Sequence, residues 1–149
     1  MEDRIEKTID LKAPVERVWR ALTDYREFGA WFRVALEKPF VVGEKTEGNI
    51  TYEGYEHMRL EARVETMETN KLFAYSWCPV ADEDGNGPLG GPETLVEFKL
   101  EPIETGTRLT IIESGFSVLP DDEERAKAVR QNSEGWESQT QTIAAHVEG

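Results

Sequence analysis

The last part of the sequence, residues 121–147, is predicted to form one long amphipathic helix. Pro120 marks its start, and Asp121 with Glu124 has the spacing of a capping box. Apolar and small residues recur along it at alternating steps of three and four, which places them on one helical face. These residues are Ala126, Val129, Ser133, Trp136, Thr140, Ile143 and Val147. Because such a face must be buried, the rest of the chain is expected to pack against this helix.

Two polar side chains, Ser133 and Thr140, interrupt the apolar face of this helix, and Asn132 and Gln139 flank it. A buried polar group without a partner costs roughly 1–3 kcal/mol. The hydroxyl groups of Ser133 and Thr140 are therefore expected to have hydrogen-bond partners. In an ordinary core these are carbonyl groups of the helix itself, and in a semi-polar cavity they are water or a ligand. Gly135, in the middle of the helix, costs about 1 kcal/mol relative to Ala and predicts a close backbone approach or a bend.

The length and charge of the chain limit its organisation and its partners. Its 149 residues are the size of one domain, and no linker or repeat divides residues 1–149. The net charge of −13 argues against nucleic acid or an anionic membrane as a partner and favours a neutral or cationic ligand. With one cysteine, no signal core after Met1 and no stretch long enough to span a bilayer, we expect a cytoplasmic protein without an internal disulfide.

The first part of the chain predicts one strand followed by two short helices. Residues 4–12 alternate between apolar and polar side chains, as in a half-buried strand. Pro14 begins a short helix that continues to Asp24, and a second helical piece covers residues 25–32. The second piece is too rich in large aromatics to face solvent. We expect the two helices to close one end of a sheet or the mouth of a pocket.

Residues 34–114 predict a meander of about six antiparallel strands, because apolar and polar residues alternate between Gly, Asn and Pro breaks. A long Gly- and Asp-rich loop, residues 79–92, separates two of these strands. The expected fold class is therefore α+β, with a curved antiparallel sheet wrapped around the long C-terminal helix.

The acidic loop fits the spacing of a calcium-binding loop. The matching residues are Asp82, Asp84, Asn86, Gly87 and Glu93. However, the flanking segments are predicted strands, and Pro92 disfavours the usual exit helix. An acidic turn with Gly at positive φ explains these residues as well, so no metal is assigned.

Few residues are candidates for catalysis or for holding a cofactor. His57 and His146 do not have metal-ligand spacing, and we expect no cofactor. Glu53, Glu97 and Glu113 lie on or beside strands. They qualify as an acid or base only if one of them faces a cavity, so no catalytic residue is assigned.

Several short patterns occur in order over nearly the whole chain. They include Ala13-Pro14-x-x-x-Val18-Trp19, Phe28-x-x-Trp31-Phe32, Thr94-Leu95-Val96-Glu97-Phe98, Glu113-Ser114-Gly115-Phe116 and Asn132-x-x-Gly135-Trp136. As a set they resemble the bacterial proteins similar to the activator of heat-shock protein 90 ATPase, a branch of the START-like (SRPBCC) superfamily. The resemblance implies a helix-grip fold with a hydrophobic cavity between the sheet and the long helix. Members of the superfamily bind lipids, polyketides, hormones or aromatic compounds, and some are cyclases.

The sequence and this resemblance together predict a protein that holds a hydrophobic or aromatic ligand, similar to a lipid or polyketide, under the C-terminal helix. The protein is expected to be a monomer or a weak homodimer. A cavity enzyme of the cyclase or dehydratase type and a co-chaperone or stress-related interaction domain are the alternatives. The residues expected to line the cavity are mostly apolar and aromatic, with a few polar groups that orient the ligand. They are Trp31, Phe32, Tyr52, Met58, Leu60, Tyr75, Trp77, Val96, Phe98, Trp136, Gln139, Thr140 and Ile143.

Overall fold

A computed structural model describes residues 4–79 and 93–148, which form strands, helices and one short 3-10 turn. Strands β1 to β7 are Arg4–Leu11, Val34–Leu36, Lys45–Ile50, Arg59–Glu68, Leu72–Trp77, Thr94–Ile103 and Gly106–Ser114. Helices α1 to α3 are Val15–Thr23, Tyr25–Phe32 and Asp122–Glu148, and the 3-10 turn Phe116–Val118 precedes α3.

The strands form one antiparallel sheet in the order β1-β7-β6-β5-β4-β3-β2. The meander pairs each strand with its neighbour in sequence from β2 to β7, and β1 closes the row by pairing with β7. One strand, two short helices, six strands and one long helix follow each other along the chain, as the hydrophobic pattern predicts. The helix-grip fold, a curved sheet around the C-terminal helix, is therefore confirmed.

Helix α3 begins as the capping pattern predicts and buries one face. The side chain of Asp121 accepts hydrogen bonds from the backbone N–H groups of Glu123 and Glu124, at 2.9 and 3.0 Å. Trp136 is only 2% exposed, and the later members of the apolar face are buried with it. Near the start of α3, where the helix contacts the 3-10 turn, Ala128 is buried instead of the predicted Ala126.

Aromatic rings fill the space between α3 and the centre of the sheet. Among the strands, β1 has the most contacts with the backbone of α3. The Trp136 side chain reaches from α3 towards β6, where its ring centroid lies 5.7 Å from that of Phe98. The rings of Tyr75 on β5 and Trp31 on α2 pack against the same Phe98 ring, with centroid distances of 5.9 and 6.5 Å. The Trp136 and Trp31 rings meet Phe98 edge to face, and pairs of this kind add about 0.5–1.5 kcal/mol each beyond the burial of area. The middle of the molecule is thus a packed aromatic core.

A half-buried ion cluster joins the three helices. The carboxylate of Glu27 on α2 accepts hydrogen bonds from Arg17 and Arg20 on α1, at 2.6 and 2.7 Å. It also lies 3.0 Å from Nε2 of His146 near the end of α3. Partial burial acts to raise the pKa of Glu27, but the hydrogen bonds from His146, Arg17 and Arg20 outweigh it and keep the pKa below its ordinary value of 4.5.

The Glu27 cluster predicts a pH-dependent contribution to stability. Glu27→Gln should lower the free energy of unfolding by about 1 kcal/mol at neutral pH, since it removes the charge that the two arginines face. Because the pKa of Glu27 is lowered on folding, this stabilisation is present above pH 4.5 and is lost as the pH falls through the folded-state value. Urea unfolding at neutral and acidic pH should show the difference between wild type and variant shrinking in acid.

The exposed Glu16 on α1 offers a control for this experiment. Glu16→Gln makes the same chemical change on a neighbouring helix and should alter stability little at either pH. If the difference in the free energy of unfolding between wild type and Glu27→Gln grew as the pH fell, the assigned charge state of Glu27 would be contradicted.

Candidate functional site

A small, partly open pocket lies between the middle of α3 and the ends of α2 and β5. Its volume is about 110 Å³. Apolar rings from three elements line it together with amide side chains and one glycine of α3. The lining residues are Phe32, Trp77, Gln131, Asn132, Gly135, Trp136 and Gln139.

The three rings of the pocket contact one another. The Trp77 and Trp136 ring centroids are 5.6 Å apart, and Phe32 lies 6.0 Å from each of them. The position of each ring follows from its element: Phe32 ends α2, Trp77 ends β5, and Trp136 is on the buried face of α3. We call Phe32, Trp77 and Trp136 the aromatic wall.

Gly135 leaves open space on the α3 side of the pocket. A Cβ atom built at Gly135 would have no neighbouring atom of the described residues within 4 Å. Of the two expectations for this glycine, a close backbone approach or a bend, the first is not met by any segment in residues 4–79 and 93–148. Packing against the described part of the chain thus does not require a glycine here, although a glycine in mid-helix costs about 1 kcal/mol.

Glu113, near the end of β7, is fully buried behind the aromatic wall. Its Oε1 accepts a hydrogen bond from Nε1–H of Trp136 at 2.8 Å, and its Oε2 accepts one from Nε1–H of Trp77 at 2.9 Å. The Thr94 hydroxyl donates to Oε2 at 2.6 Å, and the Asn132 amide lies 3.2 Å from both oxygens. Three of these four donors also line the pocket.

The partners of Glu113 indicate an ionised carboxylate that anchors its neighbours. Each oxygen receives donors, and an ionised carboxylate is an acceptor only, with about four lone-pair positions. Among the described residues no Lys or Arg pairs with it, so neutral N–H and O–H groups alone balance this buried charge. A carboxylate with its acceptor positions filled is poorly placed to take a proton from a ligand. Its evident effect is to fix the orientation of both indoles.

Tyr75 adds an unpaired polar group to the core beside this carboxylate. Within the described part of the chain, its buried hydroxyl oxygen has no hydrogen-bond partner. Burial, together with the negative charge of Glu113, raises the pKa of Tyr75 well above its ordinary value. Tyr75 is therefore a neutral phenol, and its hydroxyl keeps its proton.

The structure distributes the thirteen predicted site residues over three environments. Four of them line the pocket: Phe32, Trp77, Trp136 and Gln139. Six are buried in the core: Trp31, Tyr75, Val96, Phe98, Thr140 and Ile143. The remaining three lie elsewhere: Met58 and Leu60 are half-buried, and Tyr52 is 51% exposed with its ring 5.7 Å from that of Tyr55.

Two of the buried members have partners within the protein. Nε1–H of Trp31 donates to the carbonyl of Ala21 at 2.8 Å, which fixes this ring in the core. The Thr140 hydroxyl donates to the carbonyl of Glu137 at 2.7 Å, so the back-bonded alternative applies to this residue.

The remaining candidates are also placed. Of the three candidate glutamates, Glu113 faces inward, Glu97 is half-buried and Glu53 is exposed. Glu113 could have been found from sequence, because it continues the inward alternation of Leu109 and Ile111 along β7. Most of the acidic loop that fits the spacing of a calcium-binding loop lies outside the described residues. The described part contains no group of three or more His, Cys, Asp or Glu residues that could hold a metal ion.

Comparison with known proteins identifies the family. The sequence model described as activator of Hsp90 ATPase homolog 1-like protein matches residues 12–148. The chain belongs to this family. No curated protein matches it. In the described part of the chain, no helix is both long and apolar enough to cross a membrane.

Solved structures share the fold of this family member. Protein MLL2253 from Mesorhizobium loti matches with a TM-score of 0.76 and 23% identity, over 97% of this chain and 96% of that one. A protein from Arthrobacter aurescens matches with a TM-score of 0.79 and 25% identity, over 97% and 86%. DynU16, from the dynemicin biosynthetic locus, gives a TM-score of 0.76 and 23% identity, over 99% of this chain but 48% of that one.

The role of Glu113 can be tested by replacing it with the isosteric amide. Glu113→Gln places an NH2 group against N–H donors and leaves at least one of them without an acceptor, which costs about 1–3 kcal/mol for each unsatisfied group. We expect the free energy of unfolding to fall by about 2–4 kcal/mol. Chemical denaturation followed by tryptophan fluorescence measures this change.

Glu97→Gln is the matched control. Glu97 lies on β6 opposite Ile112 and is half-buried, so the same substitution should cost well under 1 kcal/mol. Equal stability of the two variants would show that the buried carboxylate does not anchor the indoles.

Proposed function

We propose that this protein binds a small organic molecule by enclosing an apolar or aromatic group of it in the pocket between α2, β5 and α3. The observation that carries the proposal is the aromatic wall, three contacting rings that line an open concave space. Small-molecule sites are typically concave, mostly apolar and lined by a few convergent polar groups. The pocket has this composition.

The size of the pocket supports a compact group as the enclosed part of the ligand. Its volume of about 110 Å³ is of the order of the apolar cavity of about 150 Å³ that accommodates benzene in an engineered protein. One ring or a short branched alkyl group fits such a space. A long acyl chain or a fused polyketide would extend out of the pocket, because the neighbouring core is filled by aromatic side chains, among them Phe98 and Tyr75.

The amide side chains on α3 supply groups that can orient a ligand. Gln131 and Gln139 lie one turn on either side of Gly135, and Asn132, next to Gln131, also lines the pocket and bonds to Glu113. A ligand that lies on the wall can therefore reach a polar group without entering the core. Binding of this kind requires no catalytic residue. The acceptor positions of Glu113 are already occupied, which favours a binding protein over a cavity enzyme.

Filling the pocket from Gly135 tests the proposal. Gly135→Leu directs a side chain into open space, so we expect a stability equal to or up to about 1 kcal/mol above that of the wild type. Small aromatic compounds such as indole and phenol should raise the melting temperature of the wild type. A ligand at a hundred times its dissociation constant contributes about 2.7 kcal/mol. The same compounds should not shift the variant.

Ser138→Leu is the control for this experiment. Ser138 is exposed on α3 outside the pocket lining, so the variant carries the same new side chain and should respond to the compounds as wild type does. If no compound shifts the wild type, or if Gly135→Leu responds equally, the pocket is not a binding site.

A further inference from the structure

We propose that the pocket selects an organic cation, such as a quaternary ammonium or a protonated aromatic amine, over neutral and anionic molecules of the same shape. The inference rests on the binding function proposed above and names the chemical class of the ligand. Three separate observations carry it: the buried charge of Glu113, the aromatic wall, and the state of the N–H donors around the pocket.

The first observation is the buried carboxylate next to the pocket. Glu113 is bonded to Trp77, Asn132 and Trp136, which all line the pocket, so its charge lies one side chain away from a bound ligand. No described Lys or Arg pairs with this charge, and the Glu113 side chain has no exposed surface. A charge in such surroundings acts more strongly on a nearby ligand than a surface charge does. It attracts a cation and repels an anion.

The second observation is the chemistry of the aromatic wall. The Nε1–H groups of Trp77 and Trp136 are directed to Glu113, so each indole presents carbon surface to the pocket. Cations are attracted to the faces of aromatic rings, and Trp is the best of them. The hydrogen bond to a carboxylate polarises each indole in the direction that strengthens this attraction. Phe32 supplies a third ring to the same corner.

The third observation is that most of the side-chain N–H donor groups of the pocket are already used. The Asn132 amide donates to Glu113 and to the carbonyl of Pro79, at 3.2 Å, and the Gln139 amide donates to the carbonyl of Phe32 at 3.3 Å. With the two indole N–H groups, four of the five donor-bearing side chains of the lining are engaged by protein acceptors, and the amide of the exposed Gln131 is the fifth. An anionic ligand needs such donors. A quaternary cation needs none, and the net charge of −13 attracts it from a distance.

The test compares three probes of nearly equal shape and different charge. Choline is the cation, 3,3-dimethyl-1-butanol its neutral isostere and 3,3-dimethylbutanoate an anion with the same branched group. Binding is followed by quenching of tryptophan fluorescence at constant ionic strength, with Gly135→Leu as the blocked-pocket reference. We expect choline to bind about tenfold more tightly than the alcohol, and the anion to bind more weakly than the alcohol.

The outcomes separate the two proposals. Equal binding of choline and the alcohol, or a preference for the anion, overturns the charge selectivity but leaves the pocket as a binding site. If neither these probes nor the small aromatic compounds bind, both proposals fail. Binding that persists unchanged in Gly135→Leu also overturns the assignment, because the probe then lies elsewhere.

A second variant isolates the contribution of a ring face. Phe32→Leu keeps an apolar side chain of similar size, removes one π face and leaves the four donors of Glu113 in place. The preference for choline over the alcohol should fall by at least about threefold, with little change for the alcohol. Tyr52→Leu removes an exposed ring outside the pocket and should leave the preference unchanged. An unchanged preference in Phe32→Leu contradicts the role of the aromatic wall.

Discussion

The buried carboxylate of Glu113 is the interaction on which the arrangement around the pocket depends. It lies on β7 and receives hydrogen bonds from Trp77 on β5, Thr94 on β6 and two residues of α3. It therefore joins the centre of the sheet to the helix that covers it. Hydrogen bonds to an ionised group are about twice as strong as neutral ones, but leaving such a group short of partners is costly. The local structure must keep all four donors in place.

This requirement also determines the surface of the pocket. An indole has one N–H group, and once that group is bonded inward the rest of the ring is what a ligand meets. Trp77 and Trp136 thus serve both the core and the pocket, and Phe32 completes the wall at the end of α2. Gly135 leaves space on the α3 side of the pocket, at a cost in helix stability. A buried charge and an unfilled glycine position are expensive for stability alone, which supports a functional reason for keeping both.

The hydrophobic pattern was sufficient to predict the architecture, because the periods of the helices and strands determine which faces must be buried. The stripe through Trp136, the capping residue Asp121 and the alternation in β4 all predict elements that the structure contains. The site was harder to predict. Trp31 and Phe98 were expected around a cavity but pack with other rings, and how closely side chains from distant elements approach is not encoded in local periodicity.

The burial of Glu113 was difficult to predict for a different reason. Alternation along β7 places it inward with Leu109 and Ile111, yet a glutamate at the end of a strand is usually solvated. Only the convergence of four donors from three other elements makes its burial possible. Likewise, Gly135 predicted a close backbone approach or a bend, but the local sequence did not indicate that the described residues leave open space beside it.

The most direct test of this account is hydrogen exchange at the indole Nε1–H groups, followed by NMR with and without choline. If Glu113 anchors both indoles, the Nε1–H signals of Trp77 and Trp136 exchange slowly in the free protein and remain slow with choline, while their ring carbon signals shift. Rapid exchange of either N–H group in the free protein, or its release on binding, would contradict the account.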